Sequence, residues 1–184
     1  MSSELISLSK FLSLILRHKP ETVGIELDSA GWTDVDVLLR NMRAAGRLID
    51  LPLLQRLVHE SDKQRFTFSE DGTKIRANQG HSTQVDLRLP RAAPPSLLFH
   101  GTATRFAPSI SASGLKAGTR THVHLSADAA NAQKVGERHG KPVVLIIEAA
   151  RMHAAGHVFN VAQNGVWLVS EVPPEYIQFP DYEI

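Results

Sequence analysis

The chain contains no cysteine, which excludes disulfide staples, thiol nucleophiles and cysteine-ligated zinc, and suits a reducing compartment. No apolar run approaches the roughly 20 residues that a bilayer-spanning helix needs, so no membrane span is predicted. The opening Met-Ser-Ser-Glu has neither a basic region nor a secretory cleavage site, and the expected location is the cytoplasm. Charge of one sign is also missing: 20 Lys and Arg face 19 Asp and Glu, a net charge of +1. Any polyanionic partner must therefore be met by local clusters of cations rather than by a global field. Aromatic residues are only 6% of the chain. No phosphate loop of the GxxxxGK[ST] type, no GxGxxG after a strand, no HExxH and no GxSxG occurs, so the commonest nucleotide-binding, metalloprotease and serine-hydrolase solutions drop out. What is present is 42% apolar residues, nine histidines and single arginines spread along the chain, with a mean hydropathy of −0.13. These values describe a globular protein in which phosphate handling and metal binding both remain open.

At 184 residues there is room for one large domain or two small ones. Leu5, Leu8, Phe11, Leu12, Ile15 and Leu16 recur at helical spacing and predict an amphipathic helix that Pro20 stops. Arg17 and His18 fall in its last turn, where a cation gains ~0.3 to 1 kcal/mol from the helix dipole; that alone accounts for them. A second helix is predicted from a cap at Thr33 or Asp34, with Val35, Leu38, Leu39 and Met42 inward and Gly46 at its end. A third begins at Asp50, carries Pro52 in its first turn and buries Leu53, Leu54, Leu57 and Val58. The period then changes to two. Arg65 to Ser69, a turn at Glu70-Asp71-Gly72, and Thr73 to Ala77 read as a hairpin. Three helices and a hairpin make a winged-helix arrangement, though fold alone does not fix function. Arg65 shares the solvent side of the hairpin with Thr67 and Ser69, and the polar loop Asn78 to Ser82 reads equally as an ordinary connection or a phosphate-contacting one.

Prolines 90, 94 and 95 mark a stiff connection. The predicted organisation is residues 1–88, a linker 89–96, and a second domain 97–184, α+β overall. The second domain should hold a mixed sheet with flanking helices: a strand Leu97 to Thr102, a helix Phe106 to Ser113, strands Pro142 to Ala149, Val158 to Ala162, Val166 to Val169 and Tyr176 to Phe179, and a tight turn at Asn164-Gly165. Gly101, after His100, would let a ligand approach the backbone closely. The richest stretch is Arg120 to Ser126. His122 and His124 share one strand face while Val123 and Leu125 point inward. Ser126 is read as the N-cap of a helix running to His139, whose free N–H groups would suit an anion. An arginine, two imidazoles and a helix N-terminus together suggest a site for a phosphorylated ligand; solvent-facing histidines on an edge strand explain the same residues.

Paired carboxylates for acid–base work are not evident. The chemistry these residues suit is stabilisation of anionic charge, which supplies most of the catalysis in phosphoryl transfer, and arginine's planar fork binds phosphate oxygens in pairs.

Leu16-Arg17-His18-Lys19-Pro20, Lys63-Gln64-Arg65-Phe66, Gln79-Gly80-His81-Ser82, His100-Gly101-Thr102, Arg120 to Ser126 and Asn164-Gly165-Val166-Trp167-Leu168 together resemble the NAD-dependent tRNA 2′-phosphotransferase family, in order from about residue 5 to residue 179. The resemblance implies an N-terminal winged-helix, RNA-binding lobe, a C-terminal ADP-ribosyltransferase-like, NAD-binding lobe, and an active site in the cleft between them. It implies two steps: an internal RNA 2′-phosphate attacks ribose C1″ of NAD and expels nicotinamide. The ribose 2″-hydroxyl then attacks phosphorus and releases 2′-hydroxyl RNA and ADP-ribose 1″,2″-cyclic phosphate. The family's catalytic Arg-His-Arg-Arg falls on Arg17, His18, Arg65 and Arg120. Cofactor contacts fall on His100, Gly101, Thr102, His124, Ser126, Arg138 and Val166. Val166 takes the position that is glutamate in protein-modifying relatives. Phe99 and Val169 stand where tyrosine and threonine are common, and neither carries the chemistry; Gln64 replaces a frequent lysine, which implies a slightly weaker attraction for the RNA backbone. The implied partners are NAD and a tRNA-like RNA with an internal 2′-phosphate, in tRNA splicing and processing, with no metal, for a monomer. Three rivals stand beside it: a metal-dependent RNA hydrolase using His100, His122 and His124; a winged-helix nucleic-acid binder without activity; and an ADP-ribosyltransferase acting on protein or nucleic-acid phosphate ends.

Overall fold

Residues 3–61 and 64–180 are described by a computed structural model; Lys63 lies outside the described residues. Two units divide between Arg88 and Leu89. In the first, α1 (Ser3–Arg17) buries Leu8, Leu12, Ile15 and Leu16 along one stripe, while Phe11 is only partly buried. A short 3-10 turn, Pro20–Val23, follows the helix. α2 (Val35–Ala44) starts on Asp34, whose carboxylate accepts the Val37 N–H at 2.9 Å, and α3 (Leu51–His59) starts on Asp50, which accepts the Leu53 N–H at 2.9 Å. Such caps contribute roughly 1 kcal/mol each. Leu38, Met42, Leu54 and Leu57 complete the core with Phe66 and Ile75, whereas Leu39, Leu53 and Val58 stay at its margin.

β1 (Thr33–Asp34), β2 (Phe66–Phe68) and β3 (Lys74–Ala77) form an antiparallel sheet in the order β1-β3-β2. The sequence pattern does not announce β1, since two residues show no alternation. At the hairpin tip the Asp71 carboxylate accepts from the Ser69 hydroxyl at 2.6 Å and from the Thr73 N–H and hydroxyl at 3.0 and 2.9 Å. These bonds hold its pKa down at about 2.

In the second unit every strand pair among the described residues is antiparallel, so the expected mixed sheet is corrected to three small antiparallel ones. β4 (Leu98–Ala103) pairs with β7 (Pro142–Ile147), which also pairs with β11 (Ile177–Gln178). β6 (Val123–Leu125) and β8 (Asn160–Val161) flank β9 (Trp167–Val169). Mutual 2.8 Å backbone hydrogen bonds between Phe99 and Ser126 stitch these two sheets together. β5 (Leu115–Lys116) pairs with β10 (Glu171–Val172). α4 (Ala107–Ser113) and α6 (Ala149–Ala154) are short; α6 cuts off the apolar stretch read as strand through Ala149.

α5 (Ala129–Gly136) lies against β4 at two glycines. A Cβ on Gly101 would sit 1.6 Å from the Ala132 carbonyl oxygen, and one on Gly136 would sit 2.7 Å from that of Thr102. The space on the Cβ side of Gly101 is therefore filled by α5, so close packing of helix on strand accounts for a glycine here. Residues 89–92 are hydrogen-bonded within the second unit: Asn160 Nδ2 donates to the Leu89 carbonyl at 2.9 Å and the Ala92 N–H to that of Phe159 at 3.0 Å. No helix among the described residues is long and apolar enough to cross a membrane.

Candidate functional site

Three of the predicted cations meet inside the first unit. Arg17 ends α1, and its Nη2 donates to the Arg65 carbonyl at 3.4 Å while its guanidinium lies 6.0 Å from the Phe66 ring centre. Arg65, just before β2, donates from Nη1 to the Ser9 hydroxyl at 3.4 Å. His18 Nδ1 and the Ser82 hydroxyl are 3.0 Å apart, and the Ser82 N–H donates to the Arg17 carbonyl at 3.0 Å. A helix C-terminus, a strand start and the loop after β3 thus gather two guanidiniums and an imidazole. Arg17 and Arg65 are half-buried and His18 is exposed, which leaves the cluster reachable from solvent. Ser9 is a contributor that the sequence reading missed; its signal is a small polar residue, 3% exposed, on an otherwise apolar helix stripe.

The loop between β3 and the next segment supports this cluster from beneath. A Cβ on Gly80 would lie 3.5 Å from Arg17 Nη1. His81 is fully buried, and neither ring nitrogen makes a well-formed hydrogen bond, although the Leu16 carbonyl lies near. Burial first, then the charges of Arg17, His18 and Arg76, push its pKa down to about 4. His81 is therefore a neutral ring at physiological pH.

In the second unit His100 and His124 are brought together: His100 Nδ1 lies 3.0 Å from the His124 carbonyl oxygen. A carbonyl only accepts, so Nδ1 carries a proton. Burial, chiefly, lowers the His100 pKa, with the Arg120 and His139 charges acting in the same direction and the bond to His124 opposing them. A neutral ring protonated at Nδ1 leaves Nε2 as a hydrogen-bond acceptor. Thr102, 7% exposed, follows on the same face of β4. Val123 and Leu125 are buried as expected and His124 is half-buried between them. Arg120 is exposed at the end of a turn closed by its own N–H donating to the Ala117 carbonyl at 3.2 Å. Arg138 is exposed in the 3-10 segment Glu137–His139. Val166 is half-buried beside Trp167, which pairs with Leu125.

Ser126 is not the N-cap of the following helix. Asp128 is, accepting from Ala130 and Asn131 N–H at 2.9 and 3.3 Å, while the Ser126 hydroxyl accepts the Asp128 N–H at 3.2 Å. A carboxylate already occupies the helix N–H groups proposed for an anion. Among the described residues no three His, Asp or Glu side chains are grouped as a metal would require.

Comparison with known proteins gives a consistent family. The model described as "RNA 2'-phosphotransferase, Tpt1 / KptA family" matches residues 3–171. A protein of Rhodopirellula baltica is 51% identical over 178 residues, covering 96% of this chain and 97% of its own length. One of Agrobacterium fabrum is 56% identical over 169 residues, 92% and 91% of the two chains. One of Hahella chejuensis is 50% identical over 181 residues, 98% and 97%. All three are named "Probable RNA 2'-phosphotransferase".

Proposed function

The chain belongs to the RNA 2′-phosphotransferase family, and from that premise we propose that it transfers an internal RNA 2′-phosphate to NAD. The RNA phosphate oxygen attacks ribose C1″ and nicotinamide leaves with the bonding pair; the 2″-hydroxyl then attacks phosphorus and the RNA 2′-oxygen leaves. The products are 2′-hydroxyl RNA, nicotinamide and ADP-ribose 1″,2″-cyclic phosphate. The observation that carries this reading is the gathering of Arg17, His18 and Arg65 on a framework of carbonyl and hydroxyl oxygens. Cations held in place beforehand cost no reorganisation when charge develops. They act as the holders of the phosphate dianion, and Arg120 stabilises charge as phosphorus is attacked.

A nucleophile that is already ionised needs no carboxylate base, and this agrees with an apolar Val166 where relatives that modify protein carry glutamate. His100, neutral and with an acceptor at Nε2, suits a ribose hydroxyl of the co-substrate, and Thr102, His124 and Ser126 are assigned beside it. In this reading the first unit is a winged-helix, RNA-binding lobe and the second an ADP-ribosyltransferase-like one. The order of helices and strands around the β1-β3-β2 sheet supports the former. Two small antiparallel sheets joined at Phe99 and Ser126 support the latter.

The test is incubation with an oligonucleotide carrying one internal 2′-phosphate, with and without NAD. Expected is loss of the phosphate only with NAD, unaffected by excess chelator, with nicotinamide released in equal amount. Phosphate loss without NAD, or labelled ADP-ribose moving onto protein instead of RNA phosphate, would overturn the proposal.

A further inference from the structure

We propose that Asn78 is a positioning residue that aims Arg65 at the substrate phosphate by clamping the strained backbone corner from which Arg65 leaves. The proposal rests on the reading of Arg65 as a phosphate-holding cation. Gln64, the residue before it, has φ 38, in the left-handed region that side-chain-bearing residues seldom occupy. Its N–H donates to the Ser61 carbonyl at 2.8 Å, and its carbonyl accepts from Asn78 Nδ2 at 2.6 Å. The Asn78 N–H donates to the Arg65 carbonyl at 2.9 Å. That same oxygen accepts from Arg17 Nη2 at 3.4 Å. Asn78 thus helps set the position of the Arg65 carbonyl, the oxygen on which Arg17 also rests.

The hairpin does not need the side chain for its register. Phe66 is already paired with Ala77, and the Asn78 backbone N–H extends that ladder by one rung. Asn78 is only 4% exposed, and its Oδ1 has no hydrogen-bond partner among the described residues. Keeping a buried amide half-satisfied is costly. A strained non-glycine residue persists only where its surroundings over-determine it, and the Asn78 amide on its carbonyl, with the Ser61 carbonyl on its N–H, does so at Gln64. The device is thus a strained corner, a buried amide that locks it, and a guanidinium that emerges from it.

The experiment measures affinity for an oligonucleotide with one internal 2′-phosphate against its 2′-hydroxyl twin, together with single-turnover phosphate transfer. Thermal unfolding is followed on every variant. Asn78→Ala is expected to weaken phosphate-dependent binding about tenfold and to slow transfer about a hundredfold, the scale of a misplaced catalytic group. In an Arg65→Ala background the same change should weaken binding by less than about twofold, since coupled residues are non-additive. Gln64→Gly alone should leave both measurements near wild type. Combined with Asn78→Ala it should restore most of the loss, because glycine holds a left-handed φ without help. Asn78→Asp, which keeps the shape but turns the donor into an acceptor facing the Gln64 carbonyl, should reproduce the defect if the alanine variant unfolds. An additive cycle, or no rescue by Gln64→Gly, overturns the clamp and leaves Asn78 a hairpin residue only. Arg65→Ala with intact phosphate-dependent binding would overturn the Arg65 assignment itself, and the clamp with it.

Discussion

Arg17 and Arg65 stand half-buried and braced against carbonyl and hydroxyl oxygens, whereas Arg120 and Arg138 project from an exposed turn and a 3-10 segment. The buried titratable groups differ in a related way. The first unit hides a neutral imidazole, His81, behind its cations; the second directs a neutral imidazole, His100, by bonding it to a carbonyl. Braced guanidiniums suit an anion that arrives fully charged. An exposed arginine, carrying up to ~2 kcal/mol of rotamer freedom, suits charge that appears later and elsewhere. On the proposed reaction these are the 2′-phosphate and the second displacement.

The largest effect should come from Gly101→Ala. Its Cβ would meet the Ala132 carbonyl oxygen at 1.6 Å, a backbone clash no side-chain rotation relieves, so the second unit should lose upwards of ~4 kcal/mol of stability. Chemical unfolding followed through Trp167 fluorescence measures it; a variant as stable as wild type would show that α5 can slide off β4. Next is Arg17→Ala, which should lower single-turnover transfer about a thousandfold, ~4 kcal/mol on the scale of a lost preorganised cation, and abolish preference for the phosphorylated oligonucleotide. Arg120→Ala should instead keep that preference and accumulate an RNA–ADP-ribose adduct. If Arg120→Ala loses phosphate binding as severely as Arg17→Ala, the division between braced and late-acting cations is broken.

His81 sharpens the comparison through pH. Its folded pKa of about 4 lies below the ordinary 6.5. Between those values the unfolded chain binds the proton and the folded one does not. Its contribution to stability is therefore complete above pH 6.5 and is lost as pH falls to 4, by about 3 kcal/mol in total. Thermal unfolding across that window should fall steeply in wild type and less so in His81→Asn. Equal slopes would mean the buried ring does not govern acid sensitivity.

Much of this architecture is legible in the amino-acid order. The α1 stripe, the caps at Asp34 and Asp50 and the Asp71 turn are local, and each is coded by residues within a few positions of one another. What the order hides is short or distant. β1, β5 and β10 have two residues each and show no period, and α6 begins on Glu148 without a side-chain cap. Between Ser126 and Asp128 both residues are good caps, and only the carboxylate's reach to two N–H groups decides. The Arg65–Ser9 bond spans 56 positions. Gln79 to Ser82 reads as a polar loop, although His81 within it is buried, because no pattern of spacing distinguishes a packed imidazole from a solvated one.

The smallest effect belongs to Ser82→Ala. Its hydroxyl meets His18 Nδ1 at 3.0 Å in an exposed setting, so water can replace the lost bond and the cost should be about 1 kcal/mol or less. The Ser82 backbone N–H still holds the Arg17 carbonyl, which leaves Arg17 in place and isolates the imidazole. Transfer should slow about fivefold with little change in phosphate-dependent affinity, since the ring loses one of the contacts that orient it. His100 has its partner in the backbone, at the His124 carbonyl, and no side-chain replacement can remove it. A fivefold loss would therefore mark the histidine of the first unit as the adjustable one and that of the second as fixed. A loss as large as that of Arg17→Ala would instead make the Ser82 hydroxyl a direct ligand of the phosphate.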